Sequence, residues 1–324
     1  MPATPGERQT RRKGFASHRN AQFFNALRLE TTERLGEGQG RVSRAEERRL
    51  VVAARGGDPR ALRTLLQSVS GPIYRFGRNF CRDTHDAEDV MQEVLTSLVR
   101  SLHRFRGESS ITTWAYTVAR NSCIRRRRKG MGEPEMLLSL DQAGPGGAEG
   151  LEIPDPAGDP GRDLEQIELR EALRNAIAAL PSGQREVLIL RDIEGLSARE
   201  VAKAIRIQER AVKSRLHRAR RALRAALEPH TQARSSQAGT AQSRTCERTI
   251  SILSRYIEGD VDAPMCERLY AHVDGCPACG AACDSLRAVL GACRKSRSER
   301  MPAKMQGAVR SAIRRAVEAR SFFR

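Results

Sequence analysis

Apolar positions recur at helical spacing over three stretches of the chain, separated by polar segments that sustain no period. The first stretch opens at Ser43, which forms a capping box with Glu46, and restarts at Asp58-Pro59, where the acid caps and Pro takes the first turn. Within it Val90, Val94 and Leu98 step by four and mark an inner face. After Phe105-Arg106-Gly107-Glu108, Ser109 or Ser110 starts another helix, on which Ile111, Trp114, Ala115 and Val118 pack inward. The second stretch runs from Leu164 to Leu227. There Ser197 and Glu200 form a second capping box, Val201, Ala202 and Ile205 face inward, and the chain breaks at Arg206-Ile207. A helix from about Gln208 follows, with Val212, Leu216, Ala219 and Leu223 as one buried stripe. The third stretch, up to Cys293, is rich in cysteine.

This pattern predicts an all-α fold of two small helical domains joined by a flexible linker, followed by a small helical cysteine-rich domain. The expected boundaries are a basic disordered arm over 1–43, domains at 44–130 and 165–228, an acidic Pro/Gly linker over 131–164, a polar linker over 229–244, the cysteine-rich domain at 245–293 and a basic tail over 294–324. Aromatic residues are only 4% of the chain, so the core must be built from Leu, Val, Ile and Ala, which disfavours a large β sandwich.

Charge narrows the function. With 57 Lys+Arg against 39 Asp+Glu the net charge is +18, which favours a polyanionic partner. There is no apolar run of membrane-spanning length and no signal-peptide core near Met1, so the expected location is the cytoplasm and the expected polyanion is nucleic acid rather than lipid. Neither a phosphate-binding loop nor a nucleophile elbow occurs, so no enzyme activity is expected. Six of eight cysteines fall after residue 245, which suggests reduced thiols and a metal rather than a disulfide framework.

Four groups of residues carry candidate chemistry. Opposite the buried stripe, the helix after the break presents Arg210, Lys213, Ser214, His217, Arg218 and Arg221, a face suited to the major groove. Asp86, Asp89 and Glu93 form an acidic stripe that would repel DNA and so fits a basic protein surface. The helix after Ser110 carries Thr112, Thr113, Tyr116, Arg120 and Asn121 and runs into Arg125, Arg126, Arg127, Arg128 and Lys129, a combination suited to a melted nucleic-acid strand. In the cysteine-rich segment, Cys246, His272, Cys276 and Cys279 give C-x25-H-x3-C-x2-C, the composition of a tetrahedral zinc site.

The segment LPSGQREVLILRDIEGLSAREVAKAIRIQERAVKSRLHRARRAL resembles domain 4 of bacterial sigma factors of the extracytoplasmic-function type. The resemblance implies a helix-turn-helix that reads the minus-thirty-five promoter element; it departs at Arg206, where the family usually has Gly. DAEDVMQEV resembles region 2.2, which implies that Asp86, Asp89, Gln92 and Glu93 dock on the clamp helices of the RNA polymerase large subunit. ITTWAYTVARN resembles regions 2.3 and 2.4, implying that Thr113, Tyr116, Arg120, Asn121, Arg125 and Arg126 hold the minus-ten element, and that Arg106 and Ser109 in FRGESS belong to a base-capturing loop. CERTISILSRYIEGDVDAPMCERLYAHVDGCPAC resembles the zinc-binding anti-sigma domain, here fused downstream, which implies intramolecular contact with the sigma domains and regulation by zinc or thiol state. Cys266, Cys283 and Cys293 fall outside the four-ligand set; C-x2-C-x3-C-x9-C also resembles the tails of metal-responsive relatives, which would admit copper or cadmium. Two other readings stay open: a helix-turn-helix regulator that acts without polymerase, and an adaptor that sequesters another sigma factor.

Overall fold

The computed structural model describes residues 43–81, 84–130, 160–231, 244–297 and 301–321. The arm over 1–42, residues 131–159 of the acidic linker and the polar stretch 232–243 lie outside the described residues. Among the described residues all regular structure is helical, as the periodicity predicts. They fall into two compact units, one within 37–231 and 288–324 and the other ending at Arg287.

In the first unit, α1 (Arg44–Arg55) is capped by Ser43 and α2 (Pro59–Phe80) by Asp58, whose carboxylate accepts from the Arg60 amide at 2.8 Å. Helix α3 (Thr84–Ser101) packs on α2 so closely that a Cβ on Gly77 would lie 3.0 Å from Ala87. Any side chain at residue 77 would push the two helices apart. After a short 3-10 turn, Ser110 Oγ accepts from the Thr113 amide at 2.9 Å and starts α4 (Ile111–Gly130). Val90, Val94 and Leu98 are fully buried against Leu65, Leu66, Phe76 and Phe80, so the inner face predicted for α3 is the core face.

Cys81 and Cys123 depart from the expected reduced thiols: they form a disulfide between the end of α2 and α4. Their sequence separation of 42 gives no pairing signal. The bridge follows from helix packing, in which Phe76 of α2, itself against Phe80, meets Tyr116 of α4 edge to face.

The same unit continues with α5 (Pro160–Ala179), α6 (Ser182–Leu188), a π turn at Ile189–Ile193, α7 (Ala198–Ile205) and α8 (Glu209–Thr231). The wider π turn buries Ile189, Leu190 and Ile193 while aiming Asp192 at α8. There Asp192 takes two charge-assisted bonds from Arg220, at 2.8 and 2.7 Å, and both side chains are almost wholly buried. Residues 301–321 supply a helix where the charge pattern showed only a basic tail: α12 (Ala303–Ser321) buries Met305, Val309 and Ile313 in this unit's core.

The second unit contains α9 (Arg244–Ile257), α10 (Ala263–Gly275), capped by Asp262, and the start of α11 (Pro277–Arg297). Tyr256 and Tyr270 meet edge to face with ring centres 6.2 Å apart, and Leu253, Ile257, Leu269 and Val273 fill its small core. So small a core supplies little stability, which is the usual setting for a structural metal.

Candidate nucleic-acid interface and metal centre

The break between α7 and α8 sets the geometry of the basic face. The Ser197–Glu200 capping box fixes the start of α7. Its end is turned by Arg206, which sits in the left-handed region at φ 57° and ψ 52°. A side chain here costs roughly 1 kcal/mol relative to Gly, and the Ile207 amide bond to the Ala202 carbonyl at 3.1 Å helps to hold the turn. On α8, Val212, Leu216, Ala219, Leu223 and Leu227 are fully buried. Arg210, Ser214, Arg218 and Arg221 are exposed, and Lys213 and His217 lie half-buried at the edge. Partial burial and the cationic neighbours Arg221, Arg220 and Arg218 push the His217 pKa below its ordinary value, so at neutral pH the imidazole adds no charge to this face.

The acidic stripe and the arginine run, read from sequence as two separate surfaces, meet each other in the fold. Arg126 lies 2.8 Å from Asp89 and 3.5 Å from Asp86, while Arg125 and Ser122 both donate to Glu93. Gln92 stays exposed on the same helix.

The polar side of α4 is largely covered. Thr113 and Tyr116 are buried, and the Tyr116 hydroxyl donates to Glu194 at 2.8 Å. Glu194 also receives Arg75 through two bonds of 3.0 Å. Arg120 donates to Glu186 at 2.6 Å, and Lys203 of α7 reaches the Glu108 carbonyl at 3.2 Å. Two carboxylates of the carboxyl-terminal helical domain therefore neutralise three polar groups of the amino-terminal one. Glu186 and Glu194 escaped the sequence reading because they stand within the apolar run EVLILRDIEG, where the only visible signal is a buried helix. Asn121 and Arg106 are exposed, and Ser109 is half-buried. Arg106 and Ser109 line a cleft of about 360 Å³ with Gly107 and Trp114, so the indole is both packed on the core and open to this cleft.

In the second unit the ligand atoms of His272, Cys276 and Cys279 lie within 4.8 Å of one another, and His272 Nε2 is 3.2 Å from Cys279 Sγ. Two sulfurs and an imidazole nitrogen converging at that range match zinc's preferred donors. Cys246 lies on α9, and its side chain is outside the described residues. Cys283 and Cys293 are buried and Cys266 is half-buried.

Three family descriptions match the chain: "Sigma-70 region 2" over residues 65–131, "Sigma-70, region 4" over 170–223, and "Putative zinc-finger" over 246–280. The RNA polymerase sigma-H factor of Pseudomonas aeruginosa is 29% identical over 58% of this chain and 97% of its own length. The ECF RNA polymerase sigma factor SigW of Bacillus subtilis is 30% identical over 52% of this chain and 89% of its own length. Among solved structures, CnrH in complex with the cytosolic domain of CnrY is 22% identical with a TM-score of 0.41, covering 56% of this chain and 97% of that one.

Proposed function

The chain belongs to the extracytoplasmic-function sigma factors, which direct RNA polymerase to promoters without being enzymes, and from that premise we propose how its own residues divide the work. Helix α8 enters the major groove of the minus-thirty-five element with Arg210 and Lys213 nearest the bases, and Ser214, His217, Arg218 and Arg221 along the backbone. The observation that carries this reading is the division of α8 into a fully buried apolar stripe and an exposed basic face. Asp86, Asp89, Gln92 and Glu93 dock on the polymerase clamp helices. Docking trades the internal partners Arg125 and Arg126 for basic residues of the polymerase, which frees the arginines for the minus-ten strand. Thr113, Tyr116, Arg120 and Asn121 face that strand once the two sigma domains separate, and the cleft beside Arg106, Ser109 and Trp114 takes a flipped base.

His272, Cys276, Cys279 and Cys246 hold one zinc ion, which supplies a structural cross-link between α9, α10 and α11. The domain that it stabilises restrains the sigma domains of the same chain.

Run-off transcription on fragmented genomic DNA with purified core polymerase tests the assignment. Discrete start sites are expected with the intact chain. Asp89→Lys with Glu93→Lys should abolish them by removing core binding, and unchanged core affinity in that variant would refute the docking assignment. Cys279→Ser tests the restraint: output above the intact chain's at equal protein supports it, and equal or lower output refutes it.

A further inference from the structure

Helix α12 has no role in the reading above, yet it is a built element. Met305, Val309 and Ile313 step by four along it and are buried to 4%, 6% and 3% exposure, with Ala312, Ala316 and Val317 packed at their flank. Its other side carries Lys304, Arg310, Arg314 and Arg315, all exposed. An isolated helix of this length is marginal in water, so its order derives from the surface that receives its apolar stripe. That surface is α2 and α3 of the same unit.

The position on α3 matters. A groove of about 1150 Å³ is lined by Gln92, Thr96 and Val99 on one side and by Ala312, Arg315 and Ala316 on the other. Gln92, Thr96 and Val99 follow one another at single helical turns, so they share one face of α3. Gln92 is also one of the four residues assigned to polymerase docking, one turn beyond Asp89. Two helices cannot both approach that turn, because packed helix axes lie roughly 8 to 10 Å apart and each helix is about as wide. The chemistry coincides as well. Arg315 of α12 lines the groove with Gln92, so a basic residue of this chain already stands at the edge of the docking face, where a basic partner is expected.

We propose that the outer face of α3 is a shared docking surface, occupied in the free protein by α12 of its own chain and in transcription by core polymerase, so that the two exclude each other. This rests on the docking assignment for α3. Polymerase must displace α12, and its apparent affinity is reduced by the fraction of chains in which the face is covered.

The test compares the intact full-length chain with full-length Val309→Glu, Ile313→Glu, which places charge in the apolar seat and touches none of the docking residues. The variant is expected to bind core polymerase about tenfold or more tightly, with far-UV circular dichroism retaining the helices of the sigma domains. Equal or weaker affinity overturns the proposal. A second measurement needs no substitution: hydrogen exchange of residues 303–321 in the intact chain, with and without core polymerase. The α12 amides should lose protection on binding, and unchanged or increased protection overturns the proposal. Failure of the docking assignment reads differently, as intact core binding by Asp89→Lys, Glu93→Lys.

Discussion

Glu194 holds the two sigma domains together more than any other side chain of the described interface, and Glu194→Gln isolates its charge. The carboxylate is 1% exposed, accepts two bonds of 3.0 Å from Arg75 and one of 2.8 Å from the Tyr116 hydroxyl. Glutamine keeps the volume and one acceptor oxygen but loses the ionic partner of a guanidinium that is itself only 19% exposed. Breaking a fully buried pair costs roughly 3 to 5 kcal/mol, and the residual exposure of Arg75 and the retained acceptor reduce this to about 2 to 3 kcal/mol. At about 1.4 kcal/mol per tenfold, the closed-to-open ratio should fall by about 30- to 150-fold. Hydrogen exchange at α4 and at α6–α7 should accelerate accordingly up to the limit set by each domain's own unfolding. Single-stranded minus-ten DNA should bind the variant more tightly, since opening uncovers Tyr116 and Arg120. Replacing both partners, Arg75→Met with Glu194→Met, should restore most of the closure, because an apolar pair leaves no stranded charge. Exchange rates within about threefold of the intact chain, in a correctly folded Glu194→Gln variant, would refute the role given to this carboxylate.

Other consequences follow from the carboxyl-terminal sigma domain and can be read in its unfolding. Arg206→Gly removes a side chain from a left-handed residue and should stabilise that domain by about 1 kcal/mol in urea titration; destabilisation would mean that the Arg206 side chain makes a compensating contact. Asp192→Ala strands Arg220 in the core and should cost about 3 to 5 kcal/mol, visible as an early melting transition, whereas a loss below about 1 kcal/mol would mean that water reaches the site. His217 has its pKa lowered in the fold, so the unfolded chain takes up the proton first and stability should decline as pH falls below about 6.5; His217→Gln should remove that decline, and an unchanged pH profile would assign it elsewhere. Alanine at Arg210 should change base preference by about 1 to 3 kcal/mol at one position, whereas alanine at Arg218 should weaken binding to all sequences and flatten the salt dependence.

Features that one helix can express alone were legible in the sequence. The cap at Ser43, the capping box at Ser197, the Asp58-Pro59 start and the stripe from Val212 to Leu223 depend on spacings within about three turns, and each stands in the fold, although at Ser43 only the hydroxyl half of the expected box is made. The break at Arg206 shows the same reach: the two helical patterns end and restart there, and the resemblance implies Gly at this turn, where Arg206 adopts a positive φ. Contacts between distant segments left no such trace. The Cys81–Cys123 bridge, the pairing of Asp89 with Arg126 and the grip of Glu194 on Arg75 join residues 37 to 119 positions apart. Each member alone has an adequate local explanation, as a buried thiol, a solvated acid or a basic run.

The ion pairs were illegible for a reason specific to this fold. A charged face along one helix points to an external partner, acid to protein and base to nucleic acid, and carries no sign of a partner within the same chain. In the fold the same charges first find one another: Arg125 and Arg126 turn to the acidic stripe, and Glu186 and Glu194 take Arg120, Arg75 and Tyr116. Internal pairs of this kind are half-exposed or can be solvated on opening, so an external partner needs only to replace one set of charge-assisted bonds by another. Polymerase and DNA thereby compete against contacts of their own chemistry. At these two surfaces the free protein stays ready for its partners without leaving the charges bare, and its net charge of +18 is carried by residues outside these pairs, the exposed basic face of α8 among them.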